Sequence, residues 1–141
     1  MLSLKTLLLS LFSFLLLTGC FEPNPNTSLK NTHWSLIQMQ GEAPEHFENQ
    51  PQIHLVFHLN DNTFHGSDGC NRINGHYTKD RNNFTMDKIA STRMMCKMGS
   101  KQGSEFLHIL TQADRIKIVE DNLILYHVDI EIARFEAKEA F

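Results

Sequence analysis

Apolar positions fall into three regimes along this chain. Leu7 to Leu17 is an almost unbroken run of Leu, Phe and Ser with a single charge, Lys5, just before it. Phe21 to Asn31 is mostly polar, with Pro23, Pro25 and several Asn, Ser and Thr residues. From Thr32 onward apolar and polar residues alternate in short stretches broken by Asn, Asp and Gly. A continuous run predicts a helix, a Pro- and Asn-rich stretch an extended tether, and period-two alternation a half-buried strand.

The alternating region predicts many short strands. Trp34, Leu36 and Gln38 share one face of a first strand. Ile53, Leu55, Phe57 and Leu59 alternate with Gln52, His54, Val56 and His58. Asn60-Asp61-Asn62 then turns the chain into Thr63-Phe64-His65, which completes a hairpin. Ile73–Thr78 is a further strand, and Gly75 within it marks a bulge or sharp bend. Phe84-Thr85-Met86 starts another, with extended chain from Ile89 to Cys96. Gln102–Ala113 breaks the period: Phe106, Leu107 and Leu110 recur at helical spacing, with Ser100 or Ser104 as candidate caps. Strands resume around Ile116–Ile118, Leu123–Tyr126 and Ile130–Phe135. The expected fold class is mainly β, a small antiparallel β-barrel or roll with one α-helix.

The first regime is shorter than the roughly 20 apolar residues that span a bilayer. With a positive residue before it, it has the layout of a signal peptide; the alternative is a permanent N-terminal anchor. Leu17-Thr18-Gly19-Cys20 directly after it resembles the bacterial lipobox. The expected organisation is therefore a signal peptide over 1–19, a lipidated Cys20 with a tether over 20–31, and one folded domain over 32–141. One acyl chain holds a protein weakly and two or more hold it stably, so such a cysteine implies a membrane partner. The residue after it is Phe21 rather than Asp, which points to the outer membrane, facing the periplasm.

A length of 141 residues suits one domain. The net charge of −3, lowered by one when Lys5 leaves with the leader, is the wrong sign for a nucleic-acid partner. Nothing in the composition calls for a cofactor, and a monomer is expected.

Two blocks carry a resemblance. One is Gly66-Ser67-Asp68-Gly69-Cys70-Asn71-Arg72-Ile73-Asn74-Gly75-His76-Tyr77, the other Ala90-Ser91-Thr92-Arg93-Met94-Met95-Cys96. Together with Trp34-Ser35-Leu36, Phe106-Leu107, Leu123-Ile124-Leu125-Tyr126 and Ala133-Arg134-Phe135, they resemble the META domain family of HslJ-like heat-shock and envelope proteins. The resemblance covers roughly Thr32 to Glu136. It implies a small antiparallel β-barrel-like fold with one helix and a role in envelope stress and antibiotic tolerance, with no known reaction.

Candidate chemistry is sparse. Export would place Cys70 and Cys96 in an oxidising compartment, where a disulfide closing a loop of about 27 residues contributes roughly 3.5 kcal/mol. The other reading is a pair of buried free thiols. Asp68, Asn71, Arg72, Ser91, Thr92 and Arg93 form either a structural polar motif or a binding site, and Arg72 or Arg93 has Asp68 as a candidate partner. His54 and His58 lie four apart on the outward side of one strand, with His65 on its hairpin partner. They are weak metal candidates against the plainer reading of solvated surface histidines, and no metal is expected. The chain has no Gly-x-Ser-x-Gly, no His-Glu-x-x-His and no phosphate-binding loop. The sequence thus predicts a non-enzymatic, membrane-anchored envelope lipoprotein. Two alternatives stand beside it: a tethered periplasmic binding or inhibitor module for a protein or small ligand, and histidine-based metal handling.

Overall fold

The computed structural model describes residues 27–138. The strands are β1 (His33–Met39), β2 (His54–Phe57), β3 (Thr63–Ser67), β4 (Arg72–Asp80) and β5 (Asn83–Ser91), followed by helix α1 (Ser100–Gln112) and then β6 (Arg115–Val119), β7 (Asn122–His127) and β8 (Ile130–Lys138). Each strand pairs antiparallel with the next, and β8 returns to pair with β1, so the sheet closes on itself as a barrel-like ring. The fold class expected from the pattern is the one observed. The described helix is not long and apolar enough to cross a membrane.

Period-two alternation puts one side chain in two inside the ring, and those positions carry the large apolar groups. Trp34, Phe57, Phe64, Phe84 and Phe135 are fully buried, as is Phe106 from the helix. Phe57 meets Tyr77 edge-on at 5.0 Å between ring centroids and Phe84 at 6.0 Å, within the range where aromatic pairs attract beyond simple area burial. The interior is thus packed with side chains, as is usual for small barrels.

Four local expectations change. In β1 the register against β8 shifts between Leu36 and Gln38, so Met39, not Gln38, joins the core. A bulge inserts one residue and moves the following side chains to the opposite face. Leu59 lies past the end of β2 and is 63% exposed. Extended pairing in β5 stops at Ser91, because Thr92 and the residues after it turn to bond the β3–β4 corner. Helix α1 begins at Ser100 and its cap is Gly99 at φ +81°; neither Ser100 nor Ser104 caps it, and the Ser104 hydroxyl donates back to the Ser100 carbonyl. The bulge expected at Gly75 is present, as a register shift between Asn74 and His76.

The folded region also starts before Thr32. Leu29, assigned to the tether on composition, is buried, and its carbonyl accepts the Trp34 indole N–H at 3.0 Å. The Asn31 N–H donates to the Phe57 carbonyl at 2.8 Å, and that of Thr27 to Glu120 at 3.1 Å. One aliphatic side chain and a few backbone bonds draw this polar stretch onto the barrel. The leader, Cys20 and the rest of the tether lie outside the described residues.

The junction of β5 and β6 is short: Asn83 pairs with Arg115, flanked by the Phe84 N–H to Asp114 and Ile116 N–H to Asn82 bonds. Helix α1 lies between these strands in sequence and sends Phe106, Ile109 and Leu110 into the core, each fully buried. At roughly 1.5–3 kcal/mol per side chain of this size, the helix binds the ring far more strongly than a few extra ladder bonds would.

Candidate functional site: a disulfide corner and the cleft beside it

The first motif block forms the turn between β3 and β4. Gly69 takes φ +92°, which lets the chain reverse over four residues. Asp68 is buried, with one carboxylate oxygen accepting the Cys70 and Asn71 N–H groups and the other the Asn71 side-chain amide at 3.3 Å. Its own N–H donates to the Asn71 carbonyl at 3.0 Å. A buried carboxylate is costly unless its lone pairs are filled, and here the turn itself fills them.

Asn71 and Thr92 join the two blocks. The Asn71 side-chain oxygen accepts the Met94 N–H at 2.7 Å and the Thr92 hydroxyl at 3.2 Å. The Thr92 hydroxyl oxygen in turn accepts the Arg72 N–H at 3.1 Å, while the Thr92 N–H donates to the Arg72 carbonyl at 3.0 Å. Cys70 and Cys96 are disulfide-bonded, with Cα atoms 6.0 Å apart. Five of the expected motif residues, Asp68, Cys70, Asn71, Thr92 and Cys96, therefore meet in one corner. The Ser91 hydroxyl donates to the adjacent Thr92 carbonyl. Arg72 takes part through its backbone, and neither it nor Arg93 pairs with Asp68, whose oxygens are already occupied by amides. The polar motif residues act mainly as staples.

Gly103 completes the corner. From helical propensity alone it weakens the first turn of α1. In the structure a Cβ there would lie 3.0 Å from the Asp68 carbonyl oxygen and 3.1 Å from its carboxyl carbon. The helix rests on Asp68 through the missing side chain, and a glycine inside a helical pattern was the signal that could have found this contact.

Beside the corner an open cleft runs between the β1–β2 loop (residues 40–53) and the segment from Lys97 into α1. Its main groove, about 680 Å³, is walled by residues that include Met39, Glu42, Phe47, Met98 and Lys101. A hollow of about 230 Å³ adjoins it and shares Pro44, Glu45, Phe47, Gly99 and Gln102. Gln102 ties the two walls together, accepting the Glu45 N–H at 2.7 Å and donating to the Glu45 carbonyl at 3.1 Å. Gln50 donates to the Met98 carbonyl at 3.2 Å, while its side-chain oxygen is buried without a partner among the described residues. Met94, Met95 and Met98 flank Cys96 with their side chains exposed. Sequence reasoning assigned no role to residues 40–51; the aperiodic stretch between two strands, with Gly41, Pro44 and Pro51, was its one visible sign.

The model of the META domain matches residues 27–140, the expected folded domain together with the last residues of the expected tether. The chain belongs to the META domain family. Two solved structures share its fold. One, the NMR structure of a protein from Burkholderia xenovorans, is 23% identical, with a TM-score of 0.66 over 84% of this chain and 93% of that one. Another NMR structure is 17% identical, with a TM-score of 0.60 over 78% of this chain and 95% of that one. No curated protein gives a significant match.

On the outer surface of this META domain the histidines assemble, though not as the sequence suggested. His58 and His65 come together, Nε2 to Nδ1 at 2.7 Å. His54 instead stacks on His33, with ring centroids 4.4 Å apart, a partner for which the spacing gave no hint. Burial first, and then His58 and His54, hold His65 below the ordinary imidazole pKa. Burial, followed by His54, does the same to His33. Among the described residues no three His, Cys, Asp or Glu side chains are grouped to hold a metal.

Proposed function

We propose that this META domain is the folded head of a lipid-anchored envelope protein that works by docking a partner protein at its corner cleft, without catalysis. The observation that carries the reading is the cleft itself: an open groove with a disulfide corner beside it and the exposed Met98 in its wall. Methionine is flexible and polarisable, which suits surfaces that accept varied partners. The aromatic filling of the barrel argues against capture of a small ligand inside it. The amides crowding Asp68 argue against an acid–base role for the one buried acid of the corner. Acylation at Cys20 would hold the head at the outer membrane, facing the periplasm as a monomer, in service of envelope maintenance or stress and antibiotic tolerance. A tethered inhibitor of a periplasmic protein would use the same groove.

A photoreactive residue at position 98, in the wall of the cleft, in the full chain irradiated in intact cells, tests the docking. The expected result is a discrete protein adduct that disappears when Gln102→Trp fills the cleft. No adduct, or the same adduct from a probe at Lys117 on β6, overturns the reading. Acyl labelling tests the anchor separately: label should vanish in Cys20→Ala, and label that persists there rules that anchor out.

A further inference from the structure

We propose that His58 and His65 form a two-imidazole chelate for a divalent copper ion on the outer face of β2 and β3. This site is separate from the cleft and does not depend on the docking reading. The pairing of β2 with β3 places Val56 opposite His65, and the His58 N–H donates to the Thr63 carbonyl at 3.0 Å, so the turn at Asn60–Asn62 brings the two rings together. Their facing nitrogens are 2.7 Å apart. An ion about 2.0–2.1 Å from each nitrogen would subtend an angle of roughly 80–85°. That is close to the right angle of square-planar or tetragonal sites, which copper and nickel favour. A tetrahedral zinc site needs its nitrogens about 3.3 Å apart, wider than this pair.

A second feature supports the site. The His58 Nδ1 lies 2.9 Å from the Thr63 hydroxyl, which donates to the Asp61 carboxylate. With the hydroxyl proton committed to Asp61, the Thr63 oxygen accepts from His58 Nδ1–H, and His58 Nε2 is left as a bare lone pair. This is the hydrogen-bonded relay to a carboxylate that orients metal-binding histidines. In the metal-free domain His65 Nδ1–H donates to that lone pair. When copper binds, the proton on His65 Nδ1 transfers through solvent to its Nε2, so the neutral pair gains the ion without net loss of a proton. Since no third His, Cys, Asp or Glu joins the pair among the described residues, water or a donor from another molecule would fill the remaining positions. Such an open site suits capture and handover of the ion more than structural support.

The test is titration of the purified full chain with Cu(II), read by electron paramagnetic resonance and calorimetry. One equivalent should bind with hyperfine structure from two nitrogens, and Zn(II) should bind more weakly. His58→Gln and His65→Gln should each weaken copper binding by at least about tenfold, and Thr63→Val by about 10–100-fold, with unchanged circular dichroism. His54→Gln and His33→Gln should leave it unaltered. Unchanged affinity in His58→Gln or His65→Gln overturns the proposal, as does loss of binding in His54→Gln, which would place the ion at the stacked pair instead.

Discussion

At the scale of single residues, the corner shows how a polar side chain can be indispensable without touching a ligand. Asn71 makes four hydrogen bonds to three groups: its side-chain amide and its own N–H both donate to the Asp68 carboxylate, and its side-chain oxygen accepts from the Thr92 hydroxyl and the Met94 N–H. Asn71→Ala removes the side chain that the Met94 N–H and Thr92 hydroxyl rely on. Orphaned polar groups cost about 1–3 kcal/mol, so chemical denaturation should show a midpoint lowered by that order with an unchanged m-value. The block was legible in the sequence as a unit, because two glycines around an aspartate are a turn signal. The roles within it were not, because Asp68 chooses backbone amides over Arg72 or Arg93 only once the turn has folded.

At the scale of elements, Gly103 sets two magnitudes against each other. In an exposed helix Gly→Ala gains up to about 1 kcal/mol. Here the new methyl would press on Asp68 at 3.0 Å, and Asp68 is held by its turn bonds and has no room to retreat. Gly103→Ala is expected to lower the thermal midpoint, and a rise would mean that the helix can lift off the corner. Strands and helix were readable because their inward positions repeat with fixed periods. The β1 bulge was not, since the pairing of Leu36 with Phe135 and of Gln38 with Arg134 is decided by β8, about a hundred residues away. Nor was the cleft, whose β1–β2 wall has no period to read and is held by Gln102 from the helix.

At the scale of the whole molecule, the histidine face couples stability to pH. His33 and His65 both have folded pKa values below the unfolded value of about 6.5, with burial the leading cause for each. The unfolded chain therefore binds more protons just below that value. Stability is full above about pH 6.5 and declines as the pH falls through the window between the unfolded and folded values. The thermal midpoint should drop between about pH 7.5 and 5, and His33→Gln should flatten part of that slope. A midpoint that rises on acidification would refute the sign.

Pairing between the first strand and the last has a consequence for how the chain comes into being. The seam of β1 and β8 joins segments from opposite ends of the domain, and contacts so distant in sequence form late and slowly. A nascent polypeptide still lacking its final stretch cannot sew the cylinder shut. It stays loose, and acquires its rigid shape only once the tail is free to reach the first strand.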